Sequence, residues 1–224
     1  DNPGEGGTTP SAGVVEVVRQ HVNLDVFAMI RPRGGDFCYS SYEFHAMKRD
    51  LSQFQKLSVD GVVFGILLPD GTIDKKRCAD LIQKARPLKV TCHRAFDMTR
   101  DPFRALEDCI DVGFDRILTS GQKPQAIAGV DLIRELIERA SGRIAIMPGS
   151  GVNENTVADI VTKTGAQEIH FSAMTHMPGK MVYKNSAIAG MGSDEGSEYL
   201  LRTVDPARVK NIKSLAAAAQ KNIP

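Results

Sequence analysis

The sequence predicts an α/β protein of the TIM-type (β/α) barrel class, and three observations predict it. Short apolar runs alternate with segments whose apolar residues recur every three or four positions, the pattern of a parallel sheet covered by helices. One strand plus one helix takes about thirty residues, the length of a βα unit. Ionisable or glycine-bearing residues recur where each apolar run stops, which is where a parallel barrel places its site. The rival is an open doubly wound sheet. Its one fingerprint candidate, Gly149-Ser150-Gly151, has Glu154 where a third glycine or alanine belongs.

The elements follow in order. Thr9-Pro10-Ser11 resembles a helix start, with Thr9 as cap and Pro10 in the first turn, and Val14, Val15, Val17 and Val18 supply an apolar face up to His21. Residues 25–30 read as a strand. Phe44, Met47, Leu51 and Phe54, spaced by three and four, make 42–57 a helix. Strands then fall at 59–67, 88–93, 116–119, 143–147 and 168–171, separated by helices at 74–85, 102–112, 130–140 and 155–164. A long loop over 173–195 precedes a last helix at about 206–221. That makes six strands, whereas a closed barrel needs eight units. The expectation is a single barrel domain over 1–224, six strands visible, whose N-terminal one-and-a-half βα units are missing from a chain that opens on Asp1.

Bulk properties exclude several functions. A chain of 224 residues with 42% apolar content suits one substantial core. Twenty-eight basic against 27 acidic residues leave a net charge of +1, with no basic run interleaved with aromatics, so nucleic acid is not an expected partner. The longest apolar stretch, 62–68, is too short to span a bilayer. Cys38, Cys78, Cys92 and Cys109 include no CxxC pair, so reduced thiols in a cytoplasmic protein are expected.

The segment Ile30 to Phe37, IRPRGGDF, is the most informative. Arg31 and Arg33 follow an apolar strand two residues apart and so project the same way. Buried guanidinium groups need an anion or a carboxylate, and the pair suits a bidentate anion clamp. The plainer reading is an internal ion pair with Asp36, Asp97 or a carboxylate from outside the chain. In TCHRAFD, His93 stands at the last inward position of its strand, fit for acid–base chemistry or soft-metal ligation, with Asp97 placed to orient it or to pair with an arginine. A core histidine bonded to a carbonyl is the alternative. Alternation sends Cys92 and Arg94 to the opposite face from His93. The turns at Ser120-Gly121 and Gly149-Ser150-Gly151, together with Ser172 at the end of the sixth strand, offer anion-binding backbone, or merely tight turns. Asn153 and Asn155 are candidate caps for the helix that follows. Cys38 beside Arg33, and Cys92, are weak candidate Cu(I) ligands, with ordinary packed thiols the plainer reading. Cys78 and Cys109 read as core. His170, Met174, His176, Met177 and Met181 form a loose soft-ligand group without ordered spacing.

The stretches EGGTTPS at 5–11, IRPRGGDFCYS at 30–40, HRAFDM at 93–98, ILTSGQ at 117–122, IMPGSGV at 146–152 and EIHFSA at 168–173 resemble the CutC family, named for copper homeostasis. They fall in order over nearly the whole chain. The resemblance implies a TIM-type barrel, a cytoplasmic copper-binding role with Cu(I) as the cofactor, and a homo-oligomer. Family members carry a strand–helix–strand before the EGG segment, with cysteine-bearing strand ends proposed as copper ligands; a copper site built on those cysteines is not complete in these residues. Two rivals stand beside the copper role. One is an enzyme acting on a small anionic substrate, phosphorylated substrates included, in which Arg31 and Arg33 bind the anion, His93 moves a proton and Asp97 orients it. The other is an inactive fragment whose open sheet edge invites association.

Overall fold

Five short segments have side chains buried or half-buried on both faces, the mark of a parallel sheet under a helical layer. In the computed structural model, which describes residues 2–185, 187 and 199–221, they are β1 (Phe27–Met29), β2 (Gly61–Phe64), β3 (Lys89–Cys92), β4 (Arg116–Thr119) and β5 (Ala145–Pro148). They lie in the order β1-β2-β3-β4-β5, all parallel, with Phe27 opposite Gly61, Val62 opposite Val90, Cys92 opposite Ile117 and Thr119 opposite Pro148. Each strand pairs with its successor and the order never reverses. A doubly wound sheet would have a switch point, so the order is that of a (β/α) barrel.

The connecting helices are α1 (Ala12–His21), α2 (Ser41–Lys56), α3 (Lys75–Ala85), α4 (Pro102–Val112), α5 (Val130–Ala140) and α6 (Val157–Thr164), and α7 (Pro206–Gln220) packs against α6. Their starts are dictated locally. Ser40 and Glu43 form a reciprocal capping box on α2, and the carboxylates of Asp74, Asp101 and Asp205 accept from first-turn N–H groups of α3, α4 and α7. The stripe Phe44, Met47, Leu51 and Phe54 is buried as its spacing predicts. Each such side chain contributes roughly 1.5–3 kcal/mol of burial.

Three expectations need correction. Ser11, not Thr9, caps α1, its hydroxyl accepting from the Val14 N–H. Thr9 is occupied elsewhere: its N–H donates to the Arg31 carbonyl and its hydroxyl accepts from the Arg31 N–H, both at 2.9 Å. Among the described residues the parallel sheet has five strands, not six. Residues 168–171 run beside β5, but one ladder bond, from the His170 N–H to the Pro148 carbonyl at 2.8 Å, is all that joins them, and a strand needs a run of such bonds. The expected loop at 173–195 opens instead with β6 (Met174–Pro178), which pairs antiparallel with β7 (Leu200–Val204); residues 186 and 188–195 of that loop lie outside the described residues. The ribbon is largely exposed, which a search for buried apolar runs does not detect.

Candidate functional site

The polar residues that matter lie just past the carboxyl ends of β1 and β3. Arg31 is 5% exposed, and its guanidinium is wrapped by backbone rather than by carboxylates. Nη1 donates to the carbonyls of Glu5 and Gly7, and Nη2 to the Gly35 carbonyl at 2.9 Å. The EGG segment can do this because Gly6 and Gly7 take φ of +78° and +92°, a region that favours glycine. Among the described residues no carboxylate forms an ion pair with Arg31. Its Nε is buried without a hydrogen-bond partner.

Arg33 differs entirely. Nε donates to Glu43 at 2.6 Å, Nη1 to the Gly34 and Asp36 carbonyls, and Nη2 to the Asp36 carboxylate and the Cys38 carbonyl. All five N–H donors are taken, and Glu43 and Asp36 hold its pKa above the usual value. The two arginines therefore do not form one clamp. Arg33 is a brace for the loop that holds Arg31, as the ion-pair reading expected.

His93 is 4% exposed and faces inward, as alternation predicts. Its Nδ1 accepts from the Ala95 N–H at 3.2 Å, so in the neutral ring Nε2 carries the proton, and Nε2 is buried without a partner. Burial, then the Arg31 charge, push its pKa down to about 3. At neutral pH the ring is an uncharged donor. The Phe37 ring packs against both groups, 4.9 Å from the His93 centroid and 4.9 Å from the Arg31 guanidinium carbon. Tyr39 completes the group: it is 5% exposed, its hydroxyl lies beside the Arg31 guanidinium without a hydrogen bond of full geometry, and burial pushes its pKa up to about 12 against the opposing pull of Arg31. Neither Phe37 nor Tyr39 stood out in the sequence. The signal was their period-two spacing from Phe37 to Tyr39 beside Arg33, in a loop that has no strand to make alternation meaningful.

Asp97 does not orient His93. The turn over Arg94–Met98 carries it to the end of β4, where its carboxylate accepts from Arg94 Nε, the Thr119 and Ser120 hydroxyls and the N–H groups of Ser120 and Gln122. The turn after β4 is thus an anion nest already filled by the protein's own carboxylate. Gly121 donates its N–H to the Thr119 hydroxyl, and a Cβ there would sit 2.4 Å from the Gly129 carbonyl oxygen. Gly149 donates to the Thr119 carbonyl as part of the sheet, Gly151 holds a φ of +69° and Ser172 is exposed. These residues are spread along the strand ends rather than gathered on one ligand position. Asn153 accepts from the Asn155 N–H through its side chain and from the Val157 N–H through its carbonyl, opening α6.

Cys38 is half-buried in the Arg33 loop, while the buried Cys92 thiol donates to the His93 carbonyl at 3.6 Å and lies beside Cys109, whose pKa Cys92, burial and Cys78 together raise. Among the described residues no group of three or more histidine, cysteine or acidic side chains is placed to hold a metal ion. Met177 and Met181 are about half or more exposed, and His176 pairs with Arg202 in the ribbon.

The chain matches the CutC family model over residues 1–175. It is 47% identical over 212 residues to the copper homeostasis protein cutC homolog of Mus musculus, which covers 95% of this chain and 78% of that protein, and to its Homo sapiens counterpart to the same extent. A CutC family protein of Parabacteroides distasonis is 48% identical over 207 residues, 92% of this chain and 85% of the relative. Among solved structures, CutC from Streptococcus agalactiae superposes with a TM-score of 0.73 at 34% identity, over 76% of this chain and 84% of that one. An aldolase, QR15, superposes at 0.57 with 15% identity over 70% and 73%, a likeness of fold alone. The family model and these relatives show it plainly: the chain belongs to the CutC family.

Proposed function

We propose that this protein acts in cytoplasmic copper homeostasis, and that its working part is a small-anion site at the mouth of the barrel built on Arg31, with His93 and Tyr39 beside it. One observation carries the reading. A buried guanidinium has no carboxylate partner among the described residues, and its own Nε, the Tyr39 hydroxyl and His93 Nε2 are buried without a hydrogen bond of full geometry. A buried charge without a counter-charge is costly, and the cost is relieved when a ligand anion supplies it. The site stands at strand carboxyl ends, where barrels bind substrates. An enzyme acting on a small anionic substrate is the activity that fits. The test is a thermal-shift and calorimetric survey of small anions on the wild type and on Arg31→Met. Stabilisation of the wild type alone supports the reading; no anion effect on the wild type sinks it.

A second reading is Cu(I) binding, which the relatives' names favour and which the contact between Cys92 and Cys109 could serve as a two-thiolate site. Both thiols are buried, with Cys109 pushed well above the usual thiol range, so metal would have to displace protons. Anaerobic Cu(I) titration against a chelator, repeated on Cys92→Ser and Cys109→Ser, decides it. Copper affinity that is unchanged in both variants removes this pair from the account.

A further inference from the structure

We propose that Arg31 Nε, the Tyr39 hydroxyl and His93 Nε2 form a donor-only hole whose ligand is a small monocarboxylate, with His93 serving as an uncharged hydrogen-bond donor. This rests on the anion site proposed above and names its ligand class.

Nδ1 of His93 is fixed as an acceptor by the Ala95 N–H at 3.2 Å, which leaves Nε2 as an N–H. Arg31 Nε is always an N–H. The Tyr39 hydroxyl lies beside the Arg31 guanidinium, which can only donate, so the hydroxyl oxygen faces Arg31 and its proton is left for an acceptor. These are the three buried side-chain polar atoms found without partners among the described residues, and all three can donate. Phe37 touches both the guanidinium and the imidazole, and Arg31 acts electrostatically on both His93 and Tyr39, so the atoms belong to one neighbourhood. Only a ligand that accepts hydrogen bonds satisfies them.

Charge decides between anions. Arg31 brings a single positive charge. The next arginine, Arg33, has every N–H bonded and two carboxylates against it. Arg94 is paired with Asp97. A phosphate dianion would find one charge and three donors, fewer than its oxygens require, whereas a carboxylate matches both counts. The Phe37 and Tyr39 rings beside the donors suit an apolar substituent on that carboxylate.

The position of His93 is built in. A Cβ at Gly65 on the neighbouring strand end would lie 2.9 Å from Nδ1 of His93, so glycine there lets the imidazole lie flat against the backbone. Tyr39→Phe is the informative variant. It deletes a hydroxyl that lies against the Arg31 guanidinium without a hydrogen bond of full geometry, so the free protein loses little stability, while a ligand bonded to that hydroxyl is lost in part.

The experiment is calorimetric and NMR titration of the full chain with acetate, pyruvate and phenylacetate, against inorganic phosphate, on the wild type and Tyr39→Phe. Expected are carboxylate binding at least tenfold tighter than phosphate, a five- to tenfold loss in Tyr39→Phe with its melting temperature unchanged, and a His93 ¹⁵N pattern of an Nε2-protonated neutral ring before and after binding. Phosphate binding tighter than carboxylate and weakened by Tyr39→Phe would overturn the ligand class while leaving an anion site standing. Failure of every anion to bind would overturn the anion site itself. An Nδ1-protonated or charged His93 would overturn the donor assignment.

Discussion

Phe37 and His93 meet at 4.9 Å between ring centroids, tilted by 55°, and the contact joins the loop after β1 to the end of β3. It fixes two sequence-distant segments around the same guanidinium, since Phe37 also lies against Arg31. The consequence is a histidine too buried and too close to a cation to protonate near neutrality.

Stability should therefore depend on pH through His93. Its pKa is about 3 in the fold against about 6.5 unfolded, so the unfolded chain takes up a proton first. The contribution is fully present above pH 6.5 and is lost as pH falls from there toward 3. By pH 5.5, above the range in which ordinary carboxylates titrate, the loss is about 1.4 kcal/mol. Urea midpoints measured between pH 7.5 and 5.5 should fall accordingly, and His93→Gln should flatten the curve. An equal slope in both proteins would refute the assignment.

Asp97 should prove structural. Its side chain is 5% exposed, and it accepts from donors of Arg94, Thr119, Ser120 and Gln122. Asp97→Ala strands those donors in the interior and should cost roughly 3–5 kcal/mol. Asp97→Asn, which keeps one acceptor oxygen, should cost less. Denaturation midpoints of both variants check the order; an alanine variant as stable as wild type would contradict it.

Much of this arrangement was legible and some was not, for physical reasons. Local chemistry was readable: Asp101-Pro102 starts α4, and the three-and-four spacing of Phe44, Met47, Leu51 and Phe54 gives the buried stripe of α2. The family, the barrel order and the inward face of His93 followed from patterns that survive in one dimension. What failed depends on long-range pairing. Thr9 has cap chemistry, but the backbone of Arg31, 22 residues on, takes it. Residues 168–171 are apolar enough for a strand but make one ladder bond. Arg31 and Arg33 have the same spacing as a clamp, yet the glycine wrap claims one and Glu43 with Asp36 claim the other. Tyr39 was invisible because its only distinction is a hydroxyl with nothing to bond.

Gly65 should tolerate no side chain. A Cβ there would stand 2.8 Å from the Ala95 Cβ and 2.9 Å from His93 Nδ1, both held by the Ala95–His93 bond. Gly65→Ala should cost about 1–3 kcal/mol by overpacking, with an unchanged urea m-value. It should also shift the His93 ¹⁵N resonances, which a strain elsewhere would not. Unmoved resonances together with wild-type stability would mean that the backbone relaxes freely there.

The last helix should be held by one ion pair that outlasts acid. Arg208 on α7 grips Glu154 through Nε at 2.8 Å and Nη2 at 3.0 Å, while its Nη1 donates to the Met174 carbonyl at 2.7 Å. The guanidinium lowers the Glu154 pKa to about 2. A lowered folded pKa means that the contribution is present above the unfolded value near 4.5 and is lost as pH falls through about 2. The pair links the loop before α6 to α7 and, through Met174, to the start of β6, so one substitution should loosen three segments. Arg208→Ala should raise amide exchange across α7 and at the start of β6 while leaving β1–β5 protected. Glu154→Gln, which keeps hydrogen-bond acceptance without charge, should show a smaller version of the same pattern. If exchange in α7 is unchanged by Arg208→Ala, the helix is held instead by its apolar contacts, with Ile212 and Ala219 buried, and by the Gln220 amide donating to the Ala166 and Gln167 carbonyls.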